Sequence, residues 1–348
     1  MERGGNRRRR DRRAEGSGVS ALLKSREFIL AVVLAAGIAL IGIYQPVFVE
    51  WDNLSDMLTE TSVLFMMALA QMVVILTRGI DLSVAANLAL SGFLAALVSQ
   101  YYPGVPLVLM ILAGVLSGLV LGMVNGALVA VLGIPSIVVT LGTLAVYRGM
   151  IIIIAGGDQV NASEMGVSFQ AFPKDVFLGV TTPIWIAIVV SILFWVFLSL
   201  TRTGRGFYAV GGNPIAARYC GIDQGWQEFL AYSISGAVSG LCGYLWVARY
   251  GVAYSEIANG YELTVIAACV IGGVSIGGGV GTVPGALLGA LFLGIVNTAL
   301  PVLQITPFWQ MAISGAVILA AVVINARAER RPDKLILPEA RRLGRARP

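Results

Sequence analysis

The feature that most constrains this chain is a succession of about ten runs of apolar residues, each near the length of a membrane span, with short polar breaks between them. Their approximate positions are 28–44, 60–77, 82–100, 106–132, 135–155, 183–200, 229–248, 262–276, 283–300 and 308–325. Hydrocarbon offers no hydrogen-bond partner to a backbone, so such runs must fold as helices that satisfy their own N–H and C=O groups. The 262–276 run is short enough for a half-helix. Charge supports this reading. Only 12% of the 348 residues are charged and 57% are hydrophobic, whereas a soluble domain carries about 25% charge. The expected fold is therefore all-α, a polytopic membrane protein with about ten transmembrane helices. The first run follows an Arg-rich head but lacks a convincing small-residue cleavage site, so it reads as an uncleaved span.

Orientation follows from Lys and Arg, which are retained on the cytoplasmic side. Residues 1–27 hold Arg3, Arg7 to Arg10, Arg12, Arg13, Lys24 and Arg26. They read as a basic disordered cytoplasmic head that anchors by charge and can touch anionic lipid. Residues 326–348 form a basic cytoplasmic tail, and 28–325 the transmembrane domain between them. With both ends inside, the number of spans must be even, and ten satisfies this. Loop 201–228, with Arg202, Arg205 and Arg218, is then cytoplasmic. Loop 45–59 is outside and carries Glu50, Asp52 and Asp56 without Lys or Arg. Outer loop 156–182 has only Lys174, and the loop after the seventh span only Arg249. Gly122-Met-Val-Asn125-Gly-Ala-Leu128 resembles Gly294-Ile-Val-Asn297-Thr-Ala-Leu300. These stretches lie in the oppositely directed fourth and ninth spans, as an inverted-topology repeat would place them.

Much chemistry is excluded. There is no histidine, and Cys220, Cys242 and Cys269 are the only cysteines. No His/Cys zinc site and no His general base can be built, and each Cys reads as a small buried hydrophobe. The pI near 9.2 reflects the two ends and does not point to nucleic acid. No metal or cofactor is expected on this chain.

Four features bear on function. In loop 201–228, Asn213 is a good N-cap and Pro214 suits the first helical position, while Ala216, Ala217 and Arg218 favour helix. Gly221 can end it in the left-handed conformation. A helix of about two turns over 213–221, preceded by Gly211 and Gly212, reads either as a plug for a groove on a partner or as a capped connecting loop. Thr77-Arg78-Gly-Ile-Asp81-Leu-Ser83 is a polar break. There Asp81 or Ser83 caps the next helix, with Asp81 paired to Arg78 at the membrane surface, or else the carboxylate has a functional role. The stretch from Gly272 to Gly281 lacks the Lys and Ser/Thr of a phosphate loop. Instead Gly281, Gly285 and Gly289, spaced by four, are expected on one helix face for close packing, with Gly277 to Gly279 forming the turn before it. Gln71, Asn87, Asn125, Thr140, Thr143 and Asn297 lie inside spans, as do Arg148, Trp309 and Gln310. An unpaired polar group costs a few kcal/mol in hydrocarbon, so these face protein or water. The first six are candidates for a translocation path suited to a neutral polyol. Each serves equally well as an interhelical hydrogen bond.

From about Phe28 to Asn325 the sequence resembles the permease subunits of bacterial ABC importers for monosaccharides, the ribose, xylose and galactose permease family. The resemblance rests on Arg78-Gly-Ile-Asp-Leu-Ser83, Val139-Thr-Leu-Gly-Thr143, Gly204-Arg-Gly-Phe-Tyr-Ala-Val-Gly-Gly-Asn213 with Ala216-Ala217, and Ala267-Ala-Cys-Val-Ile-Gly-Gly273. Within the family it looks most like rhamnose-type permeases, through the stretch from Arg78 to Asn87, Leu241 to Val247 and Pro307 to Ser314. Autoinducer-2-type permeases share Ala267-Ala-Cys-Val270 and come next. The resemblance implies a rhamnose import path in the inner membrane. It also implies a second permease copy or a paralogue, a periplasmic sugar-binding protein, and cytoplasmic ATPase subunits that hold the ATP and magnesium. The helix near 213–221 then corresponds to the family's coupling helix, which docks the ATPase. No enzymatic activity is implied for this chain. A stand-alone secondary transporter is the competing class, and it would need an intramembrane carboxylate relay that the sequence does not display.

Overall fold

The computed structural model describes residues 26–306 and scattered positions between 308 and 323. The chain opens with five long helices: α1 (Arg26–Tyr44), α2 (Trp51–Leu76), α3 (Val84–Tyr101), α4 (Leu107–Ala130) and α5 (Ser136–Ala155). A loop carrying the short α6 (Val167–Ala171) leads to α7 (Thr182–Leu200). Two short helices follow, α8 (Arg202–Gly212) and α9 (Pro214–Tyr219). Then come α10 (Gln224–Tyr250), α11 (Tyr261–Ile271) and α12 (Val283–Val302). Among the described residues, eight helices are long and apolar enough to cross a membrane. At 1.5 Å per residue, α11 covers about 16 Å, half of a hydrocarbon core. It is a half-helix, as its short apolar run predicts. Half of the tenth expected span, 308–325, falls outside the described residues, as do the basic head up to residue 25 and the basic tail.

The helices form an inner and an outer set. In α2, 83% of its most apolar 18-residue window is buried, against 22% in α7. Met66, Leu69, Met72 and Ile75 of α2 are fully buried, because α10, α12, α7 and α11 surround it. Leu116, Val120, Ile153 and Leu193, on α4, α5 and α7, are more than half exposed. Exposed aliphatic residues in such numbers fit a lipid or subunit neighbour and not water. A second apolar cluster joins α1 to the core through Leu34, Phe48, Met57, Ile295 and Ala299.

Backbones touch where α4 meets α10. Gly114, Gly118 and Gly122 recur every fourth residue on α4 and face Gly236 and Gly240 of α10. A Cβ on Gly118 would overlap the carbonyl oxygen of Gly236, and one on Gly236 would overlap that of Gly118. Small residues permit this approach, and dispersion along the whole contact replaces the hydrophobic drive that lipid cannot give. The strands are short: β1 (Val160–Asn161) pairs antiparallel with β4 (Val252–Ala253), and β2 (Val176–Phe177) with β3 (Val180–Thr181).

Several expectations need correction. Helix α2 starts nine residues before the predicted 60, because Trp51 to Thr59 include polar turns that hydropathy does not register. Residues 202–212, read as loop, form α8. Gly281 precedes α12 and packs against Val274, so only Gly285 and Gly289 lie on that helix, pressed against Gly272 and Ala268. Cys242 and Cys269 are buried, but Cys220 is exposed because it ends a surface helix.

Candidate functional site

The sequence features converge at one end of the bundle, the side that the arginines assign to the cytoplasm. Helix α8 contains four glycines, Gly204, Gly206, Gly211 and Gly212, each costing about 1 kcal/mol of helix propensity. Packing outweighs this. Phe207 and Val210 are fully buried, and the Thr201 hydroxyl caps the helix by accepting from Gly204 N at 2.9 Å. Asn213 then breaks the helix and starts α9, its Oδ1 accepting from Ala216 N at 3.0 Å with Pro214 in the first turn. At the other end Gly221 takes φ +77°. Ile222 N donates to Ala217 O and Gly221 N to Arg218 O, a Schellman closure. Ala217 faces inward, while Ile215 and Tyr219 are 71% and 89% exposed, and Ala216 and Arg218 are exposed beside them. The helix is thus fixed at both ends and presents two large apolar side chains and a cation outward.

Behind α9 three segments meet. Arg78 does not pair with Asp81. Its Nε donates to Gly211 O at 2.7 Å and its Nη2 to Gly212 O at 3.1 Å, so the break after α2 grips the junction of α8 and α9. Arg78 itself holds φ +70°, an unfavourable backbone for a residue with a Cβ. Gly279 N donates to Leu76 O at 3.0 Å, and the Tyr208 hydroxyl donates to Gly281 O at 3.1 Å. A Cβ on Gly211 would overlap Leu76 O, which explains a glycine there.

Asp81 is buried and not at the surface. Its Oδ1 accepts from Ser83 N at 2.9 Å and Ser83 Oγ at 2.7 Å, so the Ser83 hydroxyl is engaged by Asp81 and does not cap α3. Burial pushes the Asp81 carboxyl up to about 6, against the two Ser83 bonds. With its amide oriented to suit its neighbours, Gln71 donates to Asp81 O at 3.2 Å and accepts from Asp81 N at 3.1 Å. Asn125 Nδ2 donates to Ser83 Oγ at 2.7 Å. Asn87 Nδ2 donates to Gly118 O at 3.1 Å. Thr140 Oγ1 donates to Ile80 O at 3.1 Å, and Thr143 Oγ1 to Thr140 O at 3.4 Å.

Five of the six candidate path residues are therefore buried, and their polar groups are taken up within the chain. Gln71 and Thr140 bond the broken backbone at 77–83 through Asp81 and Ile80, Asn125 reaches it through the Ser83 side chain, and Asn87 and Thr143 bond carbonyls of α4 and α5. Asn297 lies apart, exposed on α12. Arg148 serves the opposite end, donating to Ser255 O and Ile257 O and fixing the loop between α10 and α11. Gln310 Nε2 donates to Ile305 O at 2.6 Å, and Trp309 is exposed.

The glycine face of α4 and the Arg78 grip lie beyond the sequence-based expectations. The first has a visible signal, glycine at every fourth position from Gly114 to Gly126. The second has none, since 133 residues separate its partners.

A family model described as the permease component of branched-chain amino acid transport systems matches residues 53–322. The ribose import permease protein of Escherichia coli is 36% identical over 310 residues, covering 88% of this chain and 95% of that one. The D-allose transport system permease protein of the same species is 34% identical over 300 residues, 86% and 90% of the two chains. The autoinducer 2 import system permease protein of Salmonella typhi is 33% identical over 303 residues, 87% and 86%. No solved structure matches the chain. None of these three relatives is named for rhamnose, so the narrower kinship read from the motifs is not supported by them. Matched over most of its length and built from membrane-length helices, the chain belongs to this family of transport-system permeases, as a multi-pass inner-membrane transport component and not an enzyme.

Proposed function

We propose that this chain forms the translocation path of an ABC importer for a monosaccharide, with α9 as the segment that docks the cytoplasmic ATPase. The observation that carries the docking role is the short helix fixed at both ends with Ile215, Arg218 and Tyr219 turned outward. Such a helix is ordered before it binds, so a partner groove gains the full contact. A second copy of the chain or a related permease completes the path, and a periplasmic binding protein delivers the solute. ATP-driven closure of the ATPase pair pushes on α9 and switches access between the two sides. ATP and magnesium stay on the ATPase. Gln71, Asn87, Asn125, Thr140 and Thr143 hold the walls of the path in register, and Gly285 with Gly289 keeps α11 against α12.

Among sugars, rhamnose is the first candidate, on the motif resemblance around Arg78 to Asn87 and Pro307 to Ser314. Ribose, allose and autoinducer-2 are the alternatives, since relatives carry those names. Uptake of labelled rhamnose, ribose, allose and autoinducer-2 is compared in cells with and without the gene. Selective loss of rhamnose uptake is the expected result. Loss of another of these solutes keeps the importer and replaces the substrate. Arg218→Glu is expected to abolish uptake while the protein still reaches the membrane, and normal uptake in that variant would remove α9 from the docking role.

A further inference from the structure

At the opposite end from α9, between the outer ends of α3 and α5, lies a cavity of about 380 Å³. Small-molecule sites occupy about 300–1,000 Å³. Consecutive glycines shape its wall: Gly156 and Gly157 hold φ +65° and +92°, ending α5 and turning Asp158 and Gln159 into the lining. Gln100 and Tyr101 line it from α3, and Asn161 and Glu164 from the segment that β1 ties to β4.

These groups are held in place. Gln100 Nε2 donates to Glu164 Oε1 at 3.0 Å, Asn161 N to Glu164 Oε2 at 2.8 Å, and Gln159 Nε2 to Asn161 Oδ1 at 3.0 Å. The Asp158 carboxylate makes no side-chain bond among the described residues and is exposed to the cavity. Among the described residues no Lys or Arg lines it, so an anion would meet two carboxylates and no compensating charge. Amide and carboxylate oxygens accept from hydroxyl groups, and the exposed Tyr101 ring offers a flat surface to the C–H face of a sugar ring.

We propose that this cavity is an outer waiting site for a neutral polyhydroxylated solute of monosaccharide size, held by Asp158 and Tyr101 before it enters the path. The inference rests on the sugar-import reading above. It is tested in the complete importer, reconstituted in proteoliposomes with its ATPase and binding protein. Two quantities are read: sugar delivered per ATP hydrolysed, and the binding-protein concentration that half-maximally stimulates ATPase activity. Asp158→Asn is expected to lower sugar delivered per ATP about tenfold, the scale of one charge-assisted contact, and Tyr101→Ala several-fold through the lost ring contact, with the half-maximal concentration unchanged in both. Both residues are exposed, so neither substitution threatens folding. Unchanged delivery in both variants would overturn the site. A parallel rise in the half-maximal concentration would also overturn it, by making the cavity a contact for the binding protein. A wild-type importer that moves no sugar at all would instead remove the import reading beneath it.

Discussion

Two regions of this molecule bring glycine backbones together, and they do so to different ends. Along α4 and α10 the contact is dry, buried in the bundle and repeated through Gly114, Gly118 and Gly122. At the inner junction, Gly211, Gly278 and Gly279 meet Leu76 and Arg78 at the edge of the protein, and the contact is fastened by hydrogen bonds. Among the described residues no side-chain hydrogen bond joins α4 to α10, although Gly118 O accepts from Asn87 of α3, and the contact can loosen only if helices part. The second is held by bonds worth about 0.5–3 kcal/mol each, at an exposed arginine. One contact suits a permanent wall, the other a joint whose bonds can break and re-form without parting the bundle.

The sharpest way to break this comparison is to add one methyl group to the wall. In Gly236→Ala the new Cβ overlaps Gly118 O and sits 2.7 Å from Gly122 Cα. Neither is the end of a flexible side chain, so α4 and α10 must separate along their length. Overpacking costs about 1–3 kcal/mol or more. Loss of monodisperse protein after solubilisation is expected. A normal yield with normal thermal stability would show that the wall yields as readily as the joint.

A smaller and more selective effect is expected at the joint. Arg78→Gly removes both bonds to Gly211 and Gly212 and also relieves a backbone held at φ +70°. Glycine tolerates that conformation, so the relief offsets part of the two lost bonds and thermal stability should fall only slightly. Uptake per ATP should nevertheless fall several-fold, because α9 can then move without moving the break at 77–83. Uptake falling only in step with protein abundance would reduce the grip to a structural contact.

The contrast also separates what the sequence makes legible from what it does not. Apolar runs locate the spans because hydrocarbon imposes a length and a composition together. Asn213, Pro214 and Gly221 locate α9 because cap chemistry is local, decided within a few residues. Helix α8 escapes a reading by propensity because its glycines argue against helix, and only the buried Phe207 and Val210 on its inner face override them. The polar residues of the spans are visible in the sequence, but their partners are not. Whether Asn125 faces solute or Ser83 depends on packing between segments 42 residues apart. Arg78 stands close to Asp81 in the chain, and that adjacency suggests the wrong partner.

The mildest perturbation tests whether α9 is preformed on its own account. Asn213→Ala removes the bond to Ala216 N and leaves Pro214, Gly221 and the outward side chains in place. Loss of such a cap costs about 0.5–2 kcal/mol, confined here to a six-residue helix. The wall between α4 and α10 is remote from it, so global melting should stay put. Amide exchange over 215–219 should quicken by about an order of magnitude, as about 1.4 kcal/mol of local opening requires. Uptake should fall less than in Arg78→Gly, since a frayed helix still docks once a partner orders it. Equal exchange in the two proteins would mean that the joint behind α9, and not its cap, keeps the helix in shape, and would move the weight of the docking segment onto Arg78 and Gly211.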